Sequence, residues 1–441
     1  MNNAGTPYHG VEVRKTMEMR RNLPLLMSVC FLSQMGGFMI LPLFPIYIDQ
    51  LGLSGWEMGL IFGMFYLGKV AGGLPASALY RRAGVKMSLV LMLLMLATCT
   101  AGFAIASTPL FLGVLRLLQG MASTGLTVIV RSIISDGGNM DNRGLYNGYI
   151  SSSEGGGMIL GPVISGWLAL HVPLSVPFWL VACCCLIAMV IVMGMQNKTT
   201  YRSSGSTPIL EMKDSEILSS APADQTSRQE KIAQEYASNN TQSRPSRGTG
   251  PIPVPLTGYI TVHVLEMSAY AVFLTYFALY AIQIMQWDTF SASLAFTVAG
   301  ISTLAAAPFV GFLSDRLGDR LLLCMLGMFL IGVEVVVFLS TSVHLWVYIG
   351  MFIGGIGGAC YMDSFFAHVG DHTPEANRSG VIGKIVSSAE IGSIASPLLA
   401  ALLMETLSLY AVFVFNLVLI AAAIAVQAIM RKQISDERKM T

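Results

Sequence analysis

The chain has 441 residues, 54 % of them hydrophobic and 12 % charged, with a formal net charge of +1 and a mean hydropathy of +0.64. Soluble domains carry roughly 25 % charged residues, so a soluble globular enzyme is excluded. With no basic excess to release phosphate counterions, no nucleic-acid partner is expected either.

Apolar segments recur at residues 23–48, 57–80, 87–107, 109–133, 144–170, 174–195, 255–284, 289–314, 321–341, 344–369, 379–404 and 408–430. Each suffices to cross a bilayer, which takes about 20 residues of helix. They predict an all-α membrane protein of twelve transmembrane helices, numbered here as spans 1 to 12. Residues 1–22 form a polar N-terminal segment, 23–195 a first six-helix half, 254–430 a second half and 431–441 a polar tail. No small-residue cleavage site follows a short apolar core, so no cleaved signal peptide is expected. Residues 196–253, between the halves, are rich in Ser, Thr, Gln, Asn and charge without apolar periodicity, which reads as a disordered loop. The seven cysteines, including Cys183-Cys184-Cys185, lie in apolar stretches without disulfide or metal spacing. They are read as packing residues, and no metal or cofactor is expected.

Lys and Arg in short loops mark the cytoplasmic side. Arg14, Lys15, Arg20 and Arg21 precede span 1, Arg81, Arg82 and Lys86 follow span 2, and Arg131 and Arg143 bracket loop 4–5. Arg316, Arg320 and Arg378 mark loops 8–9 and 10–11, and Arg431, Lys432, Arg438 and Lys439 form the tail. The opposite loops hold Asp49, Glu57, Asp288 and Glu405 instead. Both termini and the central loop are therefore expected in the cytoplasm, in a plasma or bacterial inner membrane.

A long-period repeat sets the architecture. Asp136, Asn142, Arg143, Gly148, Ser152, Ser153, Gly157 and Pro162 recur, each 235 positions later, as Asp371, Asn377, Arg378, Gly383, Ser387, Ser388, Gly392 and Pro397. Parallel repeats of this kind are related by an axis along the membrane normal and bind substrate between them near mid-depth.

Several short motifs stand out in chain order. Span 1 carries Gly37-Phe-Met-Ile-Leu-Pro42-Leu-Phe-Pro45, and loop 2–3 carries Ser77-Ala-Leu-Tyr80-Arg81-Arg82-Ala-Gly84-Val-Lys86. Span 4 holds Arg116-Leu-Leu-Gln119-Gly120, and span 5 holds Gly157-Met-Ile-Leu-Gly161-Pro162-Val-Ile-Ser-Gly166. Glycines four apart let a neighbour approach closely, and Pro162 adds a bend suited to a pivot. Span 11 repeats that element as Gly392-Ser-Ile-Ala-Ser396-Pro397. Loop 8–9 reads Gly311-Phe-Leu-Ser-Asp315-Arg316-Leu-Gly318-Asp-Arg320. There Gly311 and Gly318 suit a tight turn, Asp315 a helix cap, and Arg316 an ion pair with an acid such as Asp371. Such contacts would break on opening, making the loop a conformational latch. Arg82 with Asp136 is the matching pair in the first half.

These motifs resemble those of the major facilitator superfamily over residues 23–430, the central loop excepted, and within it the twelve-helix drug:proton antiporters. Loop 8–9 resembles the signature loop, Arg116 to Gly120 the second motif, Gly157 to Gly166 the motif of the antiporters, and Pro42 and Pro45 their paired-proline element. Loop 2–3 departs from the pattern, with Arg81 where the family has Asp. The resemblance implies a secondary active transporter, working by rocker-switch alternating access and exporting a small amphipathic compound against protons. Export of a polar metabolite or siderophore, proton-driven nutrient uptake and a non-transporting sensor are the alternatives.

Five acids, Glu154, Glu266, Glu334, Asp363 and Glu390, and three cations, Lys69, Arg116 and Lys384, fall within the spans. An intramembrane ionisable group is a functional candidate by default. Glu154 and Glu390, each about 16 to 18 Å along its helix from the last loop arginine, are the first candidates for proton carriers, followed by Arg116, Asp363 and Glu266. Snorkelling to the outer surface is the structural alternative for Arg116, a pair with His263 that for Glu266, and one with Lys384 that for Asp363. The excess of acids over cations fits a cationic substrate or protons, whereas Arg116, Lys69 and Lys384 would serve an anion. Gln34, Tyr66, Gln119, Tyr270, Tyr276, Phe365 and Asn416 are candidate cavity residues. No His-Glu-x-x-His, Gly-x-Ser-x-Gly or complete Walker loop occurs, so no enzyme activity is expected. The expected partners are a small-molecule substrate, protons and the lipid bilayer, with the protein a monomer.

Overall fold

A computed structural model describes residues 7–137, 143–195, 256–317 and 319–440. The loop expected at 196–253 and Gly318 lie outside the described residues. Eleven helices are described: α1 (Pro7–Gln50), α2 (Gly55–Phe103), α3 (Pro109–Gly137), α4 (Arg143–Ala169), α5 (Ser175–Gly194), α6 (Leu256–Gln283), α7 (Thr289–Leu317), α8 (Arg320–Ser340), α9 (His344–Asp371), α10 (Glu375–Thr406) and α11 (Leu409–Met440).

Helix α2 carries spans 2 and 3 in one element. Helical structure continues on both sides of Gly84, whose φ of 77° and ψ of 177° turn the chain between the two legs. A residue with a Cβ rarely adopts that backbone, which is why a glycine stands there. Eleven helices thus supply the twelve expected legs. Ten of them are long and apolar enough to cross a membrane, α4 being the exception. Its glycines, serines and Glu154 dilute its hydropathy, and it packs against α1 and α7. Helix α1 begins at Pro7 and α11 runs to Met440, so the polar segments expected at 1–22 and 431–441 are largely helical extensions of spans 1 and 12. Their Glu, Lys, Arg and Met residues are good helix formers beyond the bilayer as well as in it.

Local chemistry fixes the helix starts. The Glu57 carboxylate accepts the Ser54 N–H at 2.8 Å and the Ser54 hydroxyl accepts the Glu57 N–H at 3.3 Å, a capping box at the head of α2. Asp319 accepts the Leu322 N–H at 3.2 Å at the head of α8, and Asp288 accepts the Ser291 N–H at 2.9 Å and its hydroxyl at 2.7 Å at the head of α7. Prolines inside helices free backbone carbonyls, and neighbouring side chains can take them up. The Tyr276 hydroxyl donates to the Pro397 carbonyl at 2.9 Å.

Each half packs around its own contacts, α2 with α3 and α1 with α4 in the first, α8 with α9 and α6 with α10 in the second. Small residues set these approaches. A Cβ on Gly157 would stand 2.6 Å from the Phe31 carbonyl oxygen, and one on Gly161 would stand 2.5 Å from that of Met35, so the span 5 motif lies directly on the α1 backbone. Gly392 lies in the same way on Val264 of α6, where a Cβ would be 2.6 Å from the carbonyl oxygen. The halves meet through α2 with α10, α4 with α7 and α1 with α6. Large apolar side chains such as Leu74, Leu110 and Phe309 face outward, as a lipid-facing surface requires.

Candidate substrate cavity

A cavity of about 580 Å³ lies between the halves, within the 300–1,000 Å³ range of small-molecule sites. At the end where α1 meets α2 and α6 meets α7, the halves are closed on each other. Gln283 donates to Asp49 at 3.0 Å and the Trp56 N–H to Glu405 at 2.8 Å. Thr297 donates to the Ile159 carbonyl at 2.9 Å. A Cβ on Gly59 would stand 2.7 Å from the Pro397 carbonyl oxygen, and one on Gly166 2.6 Å from the Ser293 Cβ. Gly73 of the cavity wall, and Gly148, Gly380 and Gly383 nearer the Gly84 end, have nothing within 4 Å of where a Cβ would stand.

The first half supplies most of the cavity wall. Helix α3 presents Arg116, Gln119, Ser123 and Thr127 to the cavity, at helical spacing on one face. Arg116 is 4 % exposed. Its guanidinium carbon lies 3.7 Å from the Phe44 ring centre, 4.8 Å from Phe62 and 5.5 Å from both Phe65 and Phe103. Cation–π attraction from such rings partly replaces lost hydration. Nη1 donates to Gln119 at 2.9 Å, while Nε and Nη2 have no hydrogen-bond partner. Snorkelling to the outer surface is therefore ruled out for Arg116: the aromatic box holds it inside.

Two ion pairs flank the cavity. Lys69 Nζ of α2 lies 2.7 Å from Glu390 Oε1 of α10, so this pair joins the two halves, and both side chains line the cavity. Arg131 Nη2 of α3 lies 2.7 Å from Glu154 Oε2 of α4, a pair wholly within the first half. Arg131 also donates to Asn147 and Ser151, at 3.0 and 3.2 Å. Glu154 borders a small adjoining pocket with Cys30, Ser33, Gln34, Ser123 and Thr127.

Of the expected cavity residues, Gln34, Tyr66, Gln119 and Tyr270 line it. Tyr276, Phe365 and Asn416 do not, because each is used in packing the second half. Tyr276 is bonded to Pro397, Asn416 donates to the Ala269 carbonyl at 2.8 Å, and Phe365 stacks 5.3 Å from both His263 and Tyr361. Glu266 lies 3.3 Å from His263 Nδ1, which is 3.2 Å from the Tyr361 hydroxyl, a buried cluster between α6 and α9. Glu334 is buried on α8 against Gly354, where a Cβ would collide with its carboxylate. Asp363 and Lys384 are exposed and form no ion pair with each other.

The latch differs from its expected pairing. Asp371 pairs with Arg320 at 2.9 Å rather than with Arg316, which lies over the Phe312 ring at 4.2 Å. Arg316 ends α7 whereas Arg320 opens α8 beside Asp371, so the shift of partner follows the chain reversal between them. Asp319 pairs with Arg431 of α11 at 2.8 Å. Gly311 is helical and makes no turn. The side chains of Asp136 and Asp315 lie outside the described residues, and with them the pairing of Arg82 and the cap assigned to Asp315. The aromatic box around Arg116 and the pairings of Lys69 and Arg131 were not assigned from sequence. The polar spacing from Arg116 to Thr127 along span 4 is the signal that points to this face.

A bundle of long apolar helices in two halves around a central cavity defines a multi-pass membrane protein. Residues 26–318 and 259–439 match the family model of the Major Facilitator Superfamily, and the chain belongs to that superfamily. It is similar to Multidrug resistance protein 1 of Bacillus subtilis (strain 168), 28 % identical over 38 % of this chain and 43 % of the relative. To the Quinolone resistance protein NorA of Staphylococcus aureus (strain MRSA252) it is 25 % identical over 39 % of this chain and 44 % of the relative. The matched stretch spans less than half the length of these relatives. Its fold is similar to that of the nucleoside transporter NupG, with a TM-score of 0.73 at 12 % identity, over 92 % of this chain and 99 % of that structure.

Proposed function

We propose that this protein exports a small amphipathic compound in exchange for protons, rocking its halves about the central cavity. The observation that carries the reading is the Lys69–Glu390 pair, set in the cavity wall and joining α2 to α10. The pair is partly buried, so removing one partner leaves the other charge poorly compensated. A proton on Glu390 neutralises the carboxylate and lets the halves move apart there at smaller cost. Glu154 keeps Arg131 as the half moves, since both groups belong to it, and serves as a second proton site. Glu266 beside His263 is a third.

The direction of transport is supported by the span 5 motif at Gly157, Gly161 and Pro162, which resembles that of antiporters, and by relatives named for drug resistance. The Lys and Arg pattern supports a cytoplasmic location for both termini and for the end of the cavity opposite the closed contacts, where an exporter loads. Gly157, Gly161 and Gly392 hold each half rigid, Pro162 and Pro397 supply the pivots, and Arg320 with Asp371 replaces Arg316 in the latch. The protein works as a monomer in the cell membrane.

The test is substrate movement in proteoliposomes under an imposed pH gradient, wild type beside Glu390→Gln and Glu154→Gln. Gradient-driven exchange, lost in Glu390→Gln, is the expected result. Transport indifferent to the gradient overturns the proton coupling, and transport undiminished in both variants overturns the site assignment.

A further inference from the structure

The charge that faces the cavity is opposite in sign to the tally along the spans. Of five intramembrane carboxylates, Glu390 alone is part of the wall described here, whereas two of three cations, Lys69 and Arg116, are. Glu154 stands in the adjoining pocket, balanced by Arg131. Lys69 and Glu390 balance each other at 2.7 Å. Arg116 is left over: among the described residues no carboxylate pairs with it, and its buried Nε and Nη2 carry hydrogens without a partner. An unpaired buried cation is a costly arrangement that an incoming anion relieves.

We propose that the cavity takes an amphipathic organic anion, one carboxylate or comparable oxyanion on an aromatic or apolar body, with Arg116 as the anion acceptor. The Arg116 guanidinium carbon lies over the Phe44 ring, 3.7 Å from its centre. A ring there covers one side of the planar group and leaves N–H donors free, the fork that binds a carboxylate through two bonds. Phe38, Phe62, Phe65, Tyr66 and Tyr270 offer the body an apolar wall. A lipophilic cation has no such partner. It would have to displace Lys69 from Glu390 while lying near Arg116, a like charge in a medium of low dielectric. The inference rests on the cavity being the substrate site, and it names the substrate class for that site.

Three probes that share one ring system and differ in charge test it: 2-naphthylacetate, 2-naphthylacetamide and (2-naphthylmethyl)trimethylammonium. Binding is measured by calorimetry on the protein in lipid nanodiscs, with empty nanodiscs as the blank. The expected result is acetate binding at least tenfold tighter than amide or ammonium. In Arg116→Gln the ratio of acetate to amide affinity falls toward one, and in Arg116→Lys a preference for the acetate persists. Ammonium binding as tight as acetate, or no binding of any probe, overturns the proposal. So does an Arg116→Gln variant that folds, by its melting temperature, and keeps the wild-type preference. Should Arg116→Gln fail to fold, Lys69→Gln is read instead, with the acetate preference reduced several-fold as the expected result and an unchanged preference as the contrary one. Gradient-driven export of cations would sink the anion proposal and leave the exporter reading standing. Acetate selectivity without proton-driven flux would do the reverse.

Discussion

The two halves of the chain share a repeat and a packing scheme, yet they serve the cavity unequally. The first half contributes Gln34, Tyr66, Lys69, Arg116, Gln119 and the α3 hydroxyls. From the second, Met267, Tyr270, Leu274, Val386, Ser387 and Glu390 reach the wall. What the repeat preserves is the small-residue and proline pattern, as in Gly157 and Gly392 or Pro162 and Pro397, which holds helices against each other. The cavity's polar side chains are concentrated in one half; an interface between halves needs complementary walls rather than identical ones. The carboxylates show the same division. Glu154 and Glu390 are one position out of register across the repeat, but Glu154 pairs within its half and Glu390 across the boundary.

That contrast can be broken most directly at the carboxylates. Glu390→Gln is expected to cut gradient-driven transport more than tenfold, and Glu154→Gln only several-fold, since its partner moves with it. Equal losses in the proteoliposome assay would show that crossing the boundary is irrelevant to coupling.

Glycines sharpen the same distinction between packing within a half and packing across it. Gly161→Val would press on the Met35 backbone inside the first half, and overpacking of this kind costs about 1–3 kcal/mol. A fall in melting temperature in detergent is the expected reading. Gly59→Val presses instead on Pro397 and Ala401 of the other half, which can move away. It is expected to leave melting nearly unchanged while widening the closed end, read as increased labelling of a cysteine placed at position 56 or 405. Equal melting losses for both would refute the separation.

Smaller effects belong to single hydrogen bonds. Tyr276→Phe removes the bond to the Pro397 carbonyl and is expected to lower stability by about 1 kcal/mol in a denaturation series. Asp288→Ala removes the cap of α7, worth about 1 kcal/mol. Partial burial pushes the Asp288 carboxyl up, but hydrogen bonds from the Ser291 hydroxyl and from backbone N–H groups outweigh it and hold the group below its usual range. With the folded value depressed, the stabilisation is present above the ordinary carboxylate range, about pH 3.9, and is lost as pH falls through the lower folded value. A melting series from pH 5 downward should show the wild-type advantage over the variant shrinking at the acid end. An advantage constant with pH would mean that the cap does not titrate.

By itself the sequence determined the class of molecule. Hydropathy and span length specify a membrane helix bundle, because unbonded backbone cannot be left in lipid. The repeat at 235 specifies two related halves. Loop 2–3 was legible as a break between spans, but that Gly84 alone turns the chain, with helix running up to it from both sides, depends on its φ. Intramembrane charges announced themselves by cost, so Arg116, Glu154 and Glu390 could be picked out, and Gln34, Tyr66, Gln119 and Tyr270 followed from their polarity. Which way each helix turns was not legible. Tyr276, Phe365 and Asn416 carry the same chemistry as true wall residues and spend it on helix packing, since the rotation of a helix buried on several sides is set by its neighbours. Only the tertiary structure decided that Lys69 meets Glu390 321 positions away, and that four phenylalanines from α1 and α2 surround Arg116. Ion-pair partners and cavity charge depend on distances between helices, which no spacing along the chain encodes.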